Sequence, residues 1–201
     1  PAFEHNMTAV AKGGGVIFTG KLFLDAVRFV TAFILARLLG AKDYGMYSLA
    51  LSATNIGVGM ALLGLDAALI RYVAVMVGRK DDEAVWGTIQ VGVSIAMILS
   101  VVTGTILFGF AYPIADKAFD KASLAPLLQV AAVLIPALTL SEVLASVTKG
   151  FKRMDYPVIA QFVFQPVFRL IMIVILAITG FSPFMAIVTF GLADLGASFL
   201  M

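Results

Sequence analysis

The sequence predicts an all-α polytopic membrane protein with six transmembrane helices. Of its 201 residues, 61% are hydrophobic and only 13% are charged, whereas soluble domains carry about 45–50% apolar and about 25% charged residues. The mean hydropathy is +1.04. The apolar residues form long continuous blocks, which favours helices over the short alternating strands of a membrane barrel.

The first two blocks differ in length. A polar lead-in, residues 1–15, precedes a first helix that we expect over 16–39. The second block, 44–77, has 34 residues and as one helix would be about 51 Å long at about 1.5 Å per residue. Because a hydrocarbon core is about 30 Å thick, we expect this helix to tilt, bend or protrude.

Four further blocks complete the predicted set. The third carries no charged residue, and the fourth contains Pro126 and Pro136. The most basic stretch of the chain, Lys149–Asp155, follows the fourth block. The predicted helices three to six span residues 86–111, 124–148, 156–178 and 184–201.

The positive charges in alternate loops predict the orientation, because cytoplasmic loops carry an excess of Lys and Arg. If the N-terminus is cytoplasmic, the inner loops hold six such residues and the outer loops three. The inner residues are Lys12, Arg79, Lys80, Lys149, Lys152 and Arg153, and the outer residues are Lys42, Lys117 and Lys121. We therefore expect a cytoplasmic N-terminus.

Composition argues against several classes of function. The chain has 14 basic and 12 acidic residues, a balance that does not indicate a nucleic-acid partner. It has no cysteine, and its one histidine, His5, lies in the lead-in. We therefore expect no metal site and no cofactor. Motifs of hydrolases, metalloproteases and nucleotide-binding loops are missing from the sequence, so we do not expect an enzyme.

The predicted first helix carries charges where lipid should be. Lys21, Asp25 and Arg28 fall within about 60° of one another at about 100° per residue. A charge at the bilayer centre costs about 2.5–3.5 kcal/mol. One interpretation is a self-neutralising ladder in which Lys21 reaches the cytoplasmic surface. Whether or not these pairs form, we expect this helix face to point into the bundle interior or into a water-filled cavity.

The fifth and sixth helices repeat this pattern. Gln161, Gln165 and Arg169 follow one another at four-residue steps, and Asp194 lies at a similar depth on the sixth helix. An Arg169–Asp194 pair would lock the two helices together. The functional alternative is that Arg28 and Arg169 jointly bind an anionic head group, because the guanidinium fork engages two phosphate oxygens at once.

Two polar residues of the other helices allow similar alternatives. Glu142 on the fourth helix is either a proton or cation site or a partner for Lys149 or Lys21. Asn55 lies near the centre of the second helix, where we expect its amide to bind a neighbouring helix.

Three segments, taken in order, carry a resemblance to a known family. They are ARLLGAKDYGMYSLA (36–50), LGLDAALIRYVA (63–74) and LASVTKGFKRMDYPVIAQ (144–161). The chain resembles the Wzx-type polysaccharide flippases of the multidrug/oligosaccharidyl-lipid/polysaccharide exporter superfamily over residues 11–201. The resemblance implies alternating-access transport of a polyprenyl-(pyro)phosphate-linked oligosaccharide across the cytoplasmic membrane.

Family members have two lobes around a cavity that is often cationic, and this chain supplies the N-terminal, six-helix lobe. We therefore expect either an N-terminal fragment of a longer protein or a lobe that assembles with another copy or partner. The expected partners are the glycan lipid, membrane lipids and this second lobe. The alternatives are a cation-coupled multidrug or small-molecule exporter of the same superfamily, and a membrane protein that does not transport.

The resemblance also implies roles for the charged residues. Lys21, Arg28 and Arg169 would bind the substrate. The expected ion-coupling or counter-ion residues are Asp25, Glu142 and Asp194.

Overall fold

A computed structural model describes the backbone of residues 2–151, 164–179 and 183–198, and the side chains of residues 22, 25–151, 164–175 and 183–197. Every regular element in these ranges is helical. The elements are α1 (Ala2–Leu62), α2 (Leu65–Arg79), α3 (Asp82–Pro113), α4 (Ala125–Gly150), α5 (Gln165–Thr179) and α6 (Pro183–Ser198). A π-helical turn, Ile114–Ala118, and a 3₁₀ turn, Ala122–Leu124, connect α3 to α4. The all-α prediction is confirmed.

Helix α1 is broken at Gly40, where φ is 75° and ψ is 167°. This conformation is open almost only to glycine. Arg28 and Val58 line one cavity of about 490 Å³, although about 30 residues of straight helix would separate them by about 45 Å. The chain therefore folds back at Gly40, and we call the two segments α1a (2–39) and α1b (41–62).

Helix α1a begins at Ala2, which differs from the expected start at residue 16. The glycines of the lead-in, Gly13–Gly15, lie inside this helix. Each costs about 1 kcal/mol relative to alanine. A helix that has already formed on both sides tolerates this cost, because adding a residue is far easier than starting a new helix.

The second predicted helix, 44–77, is divided in the structure. Leu63 has φ 44° and Gly64 has φ 83°, and α2 is bent by 44° from the preceding helix. The sequence predicts that this apolar run is too long to cross the bilayer as one straight helix. In the structure, this bend accommodates the excess length.

Helix α4 is the centre of the packed structure, in contact with α1, α2, α3 and α6. In its most apolar stretch 56% of residues are buried, against 22% for α3 and the turn that extends it. Large apolar side chains of α3 remain exposed, among them Trp86, Ile98 and Phe110. This exposure is expected for a face turned towards lipid chains. Helix α3 therefore lies at the periphery.

A buried apolar cluster joins the chain around the Gly40 break to the later helices. Leu35 of α1a and Tyr47 of α1b pack in it with Leu128 of α4, Ile173 of α5 and Ile187 of α6. Leu35 and Tyr47 also line the cavity. The cluster therefore forms part of the cavity wall and holds α1, α5 and α6 against α4.

The described helices support a multi-pass membrane protein. Within the described residues, Asp82–Ala118 and Ala122–Gly150 are each long and apolar enough to cross a bilayer. The bent pair Asp25–Leu62 and Leu65–Arg79 adds a third span by length and composition if counted as one, although it contains the break at Gly40. The apolar helices Gln165–Ile175 and Pro183–Ala197 are shorter. The count of six spans stays a prediction.

Candidate functional site

A cavity of about 490 Å³ lies among α1a, α1b, α4, α5 and α6. This volume falls within the range of about 300–1,000 Å³ that is typical of small-molecule sites. Its polar and charged lining comprises Arg28, Thr31, Ser48, Asn55, Ser141, Glu142, Gln165, Arg169 and Asp194, and its aromatic lining comprises Tyr44, Tyr47 and Phe190. The cavity lining of this apolar protein thus mixes charged and polar side chains with apolar ones.

Arg169 extends from α5 into this cavity. Its Nη2 lies 4.0 Å from Oδ2 of Asp194, and the two side chains are 22% and 12% exposed. The guanidinium carbon lies 4.1 Å from the ring centroid of Phe190, close enough for a cation–π contact. Its Nε is buried and finds no hydrogen-bond partner among the described residues. The expected Arg169–Asp194 pair is thus present, but it is long for a charge-assisted bond.

Arg28 reaches the same cavity from α1a. Its Nη1 lies 3.7 Å from Oδ1 of Asp25, one helical turn earlier, and the two side chains are 58% and 55% exposed. This exposed pair matches the charge ladder that the sequence predicts for one helix face. The remaining member of that ladder, Lys21, has its side chain outside the described part of the chain.

The acidic residues also converge on the cavity. Glu142 of α4 is exposed and lines it together with Asp194 of α6. The Ser141 hydroxyl donates to the backbone oxygen of Asp194 over 3.3 Å and so ties α4 to α6. Among the described side chains Glu142 has no ion pair with Lys149, and its pairing with Lys21 lies outside them.

The sequence analysis did not predict that Asn55 lines the cavity. We expected its amide to bind a neighbouring helix, but it is exposed and lines the cavity. Tyr44, Ser48 and Asn55 fall within about 40° of one another on α1b at about 100° per residue. This spacing was the available signal.

The arrangement suits a polar ligand that both donates and accepts hydrogen bonds. Two guanidinium groups offer donors that remain charged, the acceptors opposite them are carboxylates, and amides and hydroxyls supply both donors and acceptors. The exposed apolar surface of α3 provides an outer face for lipid. The site therefore combines charge recognition with a membrane setting.

Comparison with known proteins identifies the family. The chain matches the family described as "Polysaccharide biosynthesis protein" over residues 10–199. The chain belongs to this family. The match confirms the family that the three sequence segments indicate.

The chain is also similar to part of one known protein. Stage V sporulation protein B of Bacillus subtilis (strain 168) is 26% identical over 174 residues, which are 86% of this chain but 33% of that protein. The chain thus spans about a third of the length of this relative. No solved structure matches the chain.

Proposed function

We propose that this chain is one lobe of a flippase that moves a polyprenyl-(pyro)phosphate-linked oligosaccharide across the cytoplasmic membrane. The observation that carries the proposal is that Arg28 and Arg169, from helices far apart in the sequence, line one cavity in an apolar helical lobe. Membership of the polysaccharide biosynthesis family supports a glycan cargo.

The cargo itself creates the need for such a cavity. A sugar-phosphate head cannot cross about 30 Å of hydrocarbon unaided, because each buried polar group that lacks a partner costs several kcal/mol. A polar cavity replaces the lost water contacts, while the polyprenyl tail remains in lipid. We propose that the head group enters from the cytoplasmic side, meets the arginines and leaves when the lobes rock open on the other side.

A second lobe is part of this proposal. The relative is about three times as long as the matched region, so a whole protein of that kind has room for a partner lobe. We propose that the remainder of the protein, or a second copy, closes the cavity opposite Arg28, whose side chain is 58% exposed. A cytoplasmic N-terminus, as the loop charges predict, belongs to the same arrangement.

The test is transport by the full-length protein in proteoliposomes that contain a fluorescent polyprenyl diphosphate oligosaccharide. We expect Arg28→Gln and Arg169→Gln each to lower the flipping rate at least about tenfold, because a hydrogen bond to a charged group contributes about 1.5–3 kcal/mol. Arg37→Gln is the matched control, since Arg37 is exposed, contacts Phe33 and does not line the cavity. Unchanged flipping in both cavity variants would refute the proposal.

The acidic lining favours a second candidate, a cation-coupled exporter of small molecules on the same fold. Glu142 and Asp194 both line the cavity, and either could bind a coupling cation. Glu142→Gln separates the candidates: an exporter loses drug efflux driven by an ion gradient, whereas a flippase retains head-group binding through its arginines.

A further inference from the structure

One wall of the cavity carries polar groups that anion binding does not need. Helix α1b presents Tyr44, Ser48 and Asn55 along one face, and all three line the cavity. From Tyr44 to Asn55 this stripe runs about 16 Å along the helix at about 1.5 Å per residue. The stripe is therefore long enough to follow an extended head group rather than a single phosphate.

Asn55 is the most informative member of the stripe. Its neighbours Ser52 and Thr54 bond to carbonyl oxygens one turn earlier on the same helix. The Asn55 side chain is exposed in the cavity, and the described residues supply it with no hydrogen-bond partner. An amide in an apolar helix is costly without a partner, so water or a ligand must satisfy it.

Tyr44 adds an aromatic surface to the same wall. Its ring is half-buried and lies 6.2 Å from the ring centroid of Tyr47, at an interplanar angle of 36°. Tyr47 is only 5% exposed, so the neighbour of the Tyr44 ring is itself part of the buried structure. An aromatic ring held at a cavity wall presents a flat apolar face beside a hydroxyl.

The chemistry of this wall matches a sugar better than a phosphate. A phosphate oxygen accepts hydrogen bonds only, and donors alone would serve it. A sugar hydroxyl both donates and accepts, as does an amide, and a carboxylate such as Glu142 can accept from it. The C–H face of a pyranose can pack on a tyrosine ring. Neither Glu142 nor an aromatic face favours an anion.

We infer that Asn55 and Tyr44 form a sugar-reading subsite on α1b, separate from the phosphate-binding arginines, and that it recognises pyranose units close to the lipid phosphate. This inference rests on the proposed function, because it assigns the same cargo to the same cavity. It adds that this lobe discriminates between glycans and does not only attract charge.

The experiment compares two lipids on the purified full-length protein: undecaprenyl diphosphate, and the same lipid carrying a linear oligosaccharide of several pyranose units, long enough to contact both Asn55 and Tyr44. We expect the wild-type protein to bind the sugar-bearing lipid several-fold more tightly. Asn55→Ala and Tyr44→Ala should each lower affinity for that lipid by about three- to tenfold. Affinity for the sugar-free lipid should stay unchanged, which shows that each variant is folded.

Matched controls are exposed residues that do not line the cavity. Ile56→Ala changes the next residue of α1b, which is 64% exposed, and Tyr72→Ala removes an exposed tyrosine of α2. Both should keep the wild-type preference. Tyr44→Phe should retain part of it, since the ring remains.

The outcomes separate the two claims. If Asn55→Ala and Tyr44→Ala still prefer the sugar-bearing lipid as strongly as the wild-type protein does, or if the wild-type protein has no such preference, the sugar-reading subsite is wrong. In that case, weaker binding of both lipids by Arg28→Gln would still support the flippase. If the wild-type protein binds neither lipid, the proposed function fails and the subsite falls with it.

Discussion

At the scale of single residues, two ion pairs use the same residue types in different surroundings. Asp25 and Arg28 are 3.7 Å apart and more than half exposed. Asp194 and Arg169 are 4.0 Å apart but largely buried. Because water screens an exposed pair and burial makes an unpaired charge costly, the longer pair is expected to matter more for folding.

Double-mutant cycles on the unfolding of the full-length protein in detergent test this expectation. Asp194→Asn and Arg169→Gln should each destabilise the fold by about 1–3 kcal/mol, and their coupling should be about 0.5–2 kcal/mol. The matched cycle of Asp25→Asn with Arg28→Gln should give a coupling below about 0.5 kcal/mol. Equal coupling in the two pairs would show that Arg28 and Asp25 do not face water.

Residue-scale prediction from the sequence works best for charges. Arg28, Glu142, Arg169 and Asp194 stand out because the lipid interior penalises a charge, so each must face a polar space or a partner. The same argument does not predict the environment of Asn55, which is uncharged. One uncharged amide is equally compatible with a helix contact and a cavity wall, and only the packing of α1a, α4, α5 and α6 decides between them.

At the scale of elements, close helix packing depends on where side chains are absent. A Cβ at Gly104 of α3 would lie 2.8 Å from the backbone oxygen of Ala132 on α4, whereas one at Gly109 would meet nothing within 4 Å. A backbone carbonyl cannot rotate away as a side chain can. The contact between α3 and α4 therefore requires glycine at position 104.

This difference predicts opposite effects on one helix. Gly104→Ala should lower the free energy of unfolding by about 1–3 kcal/mol, because α3 must move away from α4. Gly109→Ala should leave it unchanged or raise it by up to about 1 kcal/mol, because alanine is the better helix former. Thermal unfolding in detergent measures both, and equal destabilisation would mean that α3 does not pack on α4 in this register.

The element boundaries show what local sequence can and cannot predict. The turn at Gly40 was foreseeable because a polar, glycine-led stretch interrupts two apolar blocks. A bend was one of the outcomes expected from the length of the 44–77 block, but its position at Leu63–Gly64 could not be predicted, because Leu63 adopts φ 44°, a conformation that leucine disfavours. The packing of α2 on α3 and α4 supplies the energy that this conformation costs, and no local pattern reports it.

At the scale of the whole molecule, the cavity is assembled from distant parts of the chain. Arg28 and Arg169 come from α1a and α5, and α1b returns alongside α1a to add Asn55. The chain covers 33% of its relative. The fold class and the family could be predicted from the sequence of this chain, whereas the depth of each side chain in the membrane could not.

The most direct test of the central claim is whether the cavity is a wet space that holds an anionic lipid head. The chain has no cysteine, so single thiols can be placed in a full-length protein freed of any others. Asn55→Cys should react with a charged, membrane-impermeant thiol reagent and be protected by undecaprenyl diphosphate that carries an oligosaccharide. Ile56→Cys, which does not line the cavity, should react slowly, and the lipid should not protect it. Equal reactivity at the two positions, or no protection at Asn55→Cys, would contradict the account.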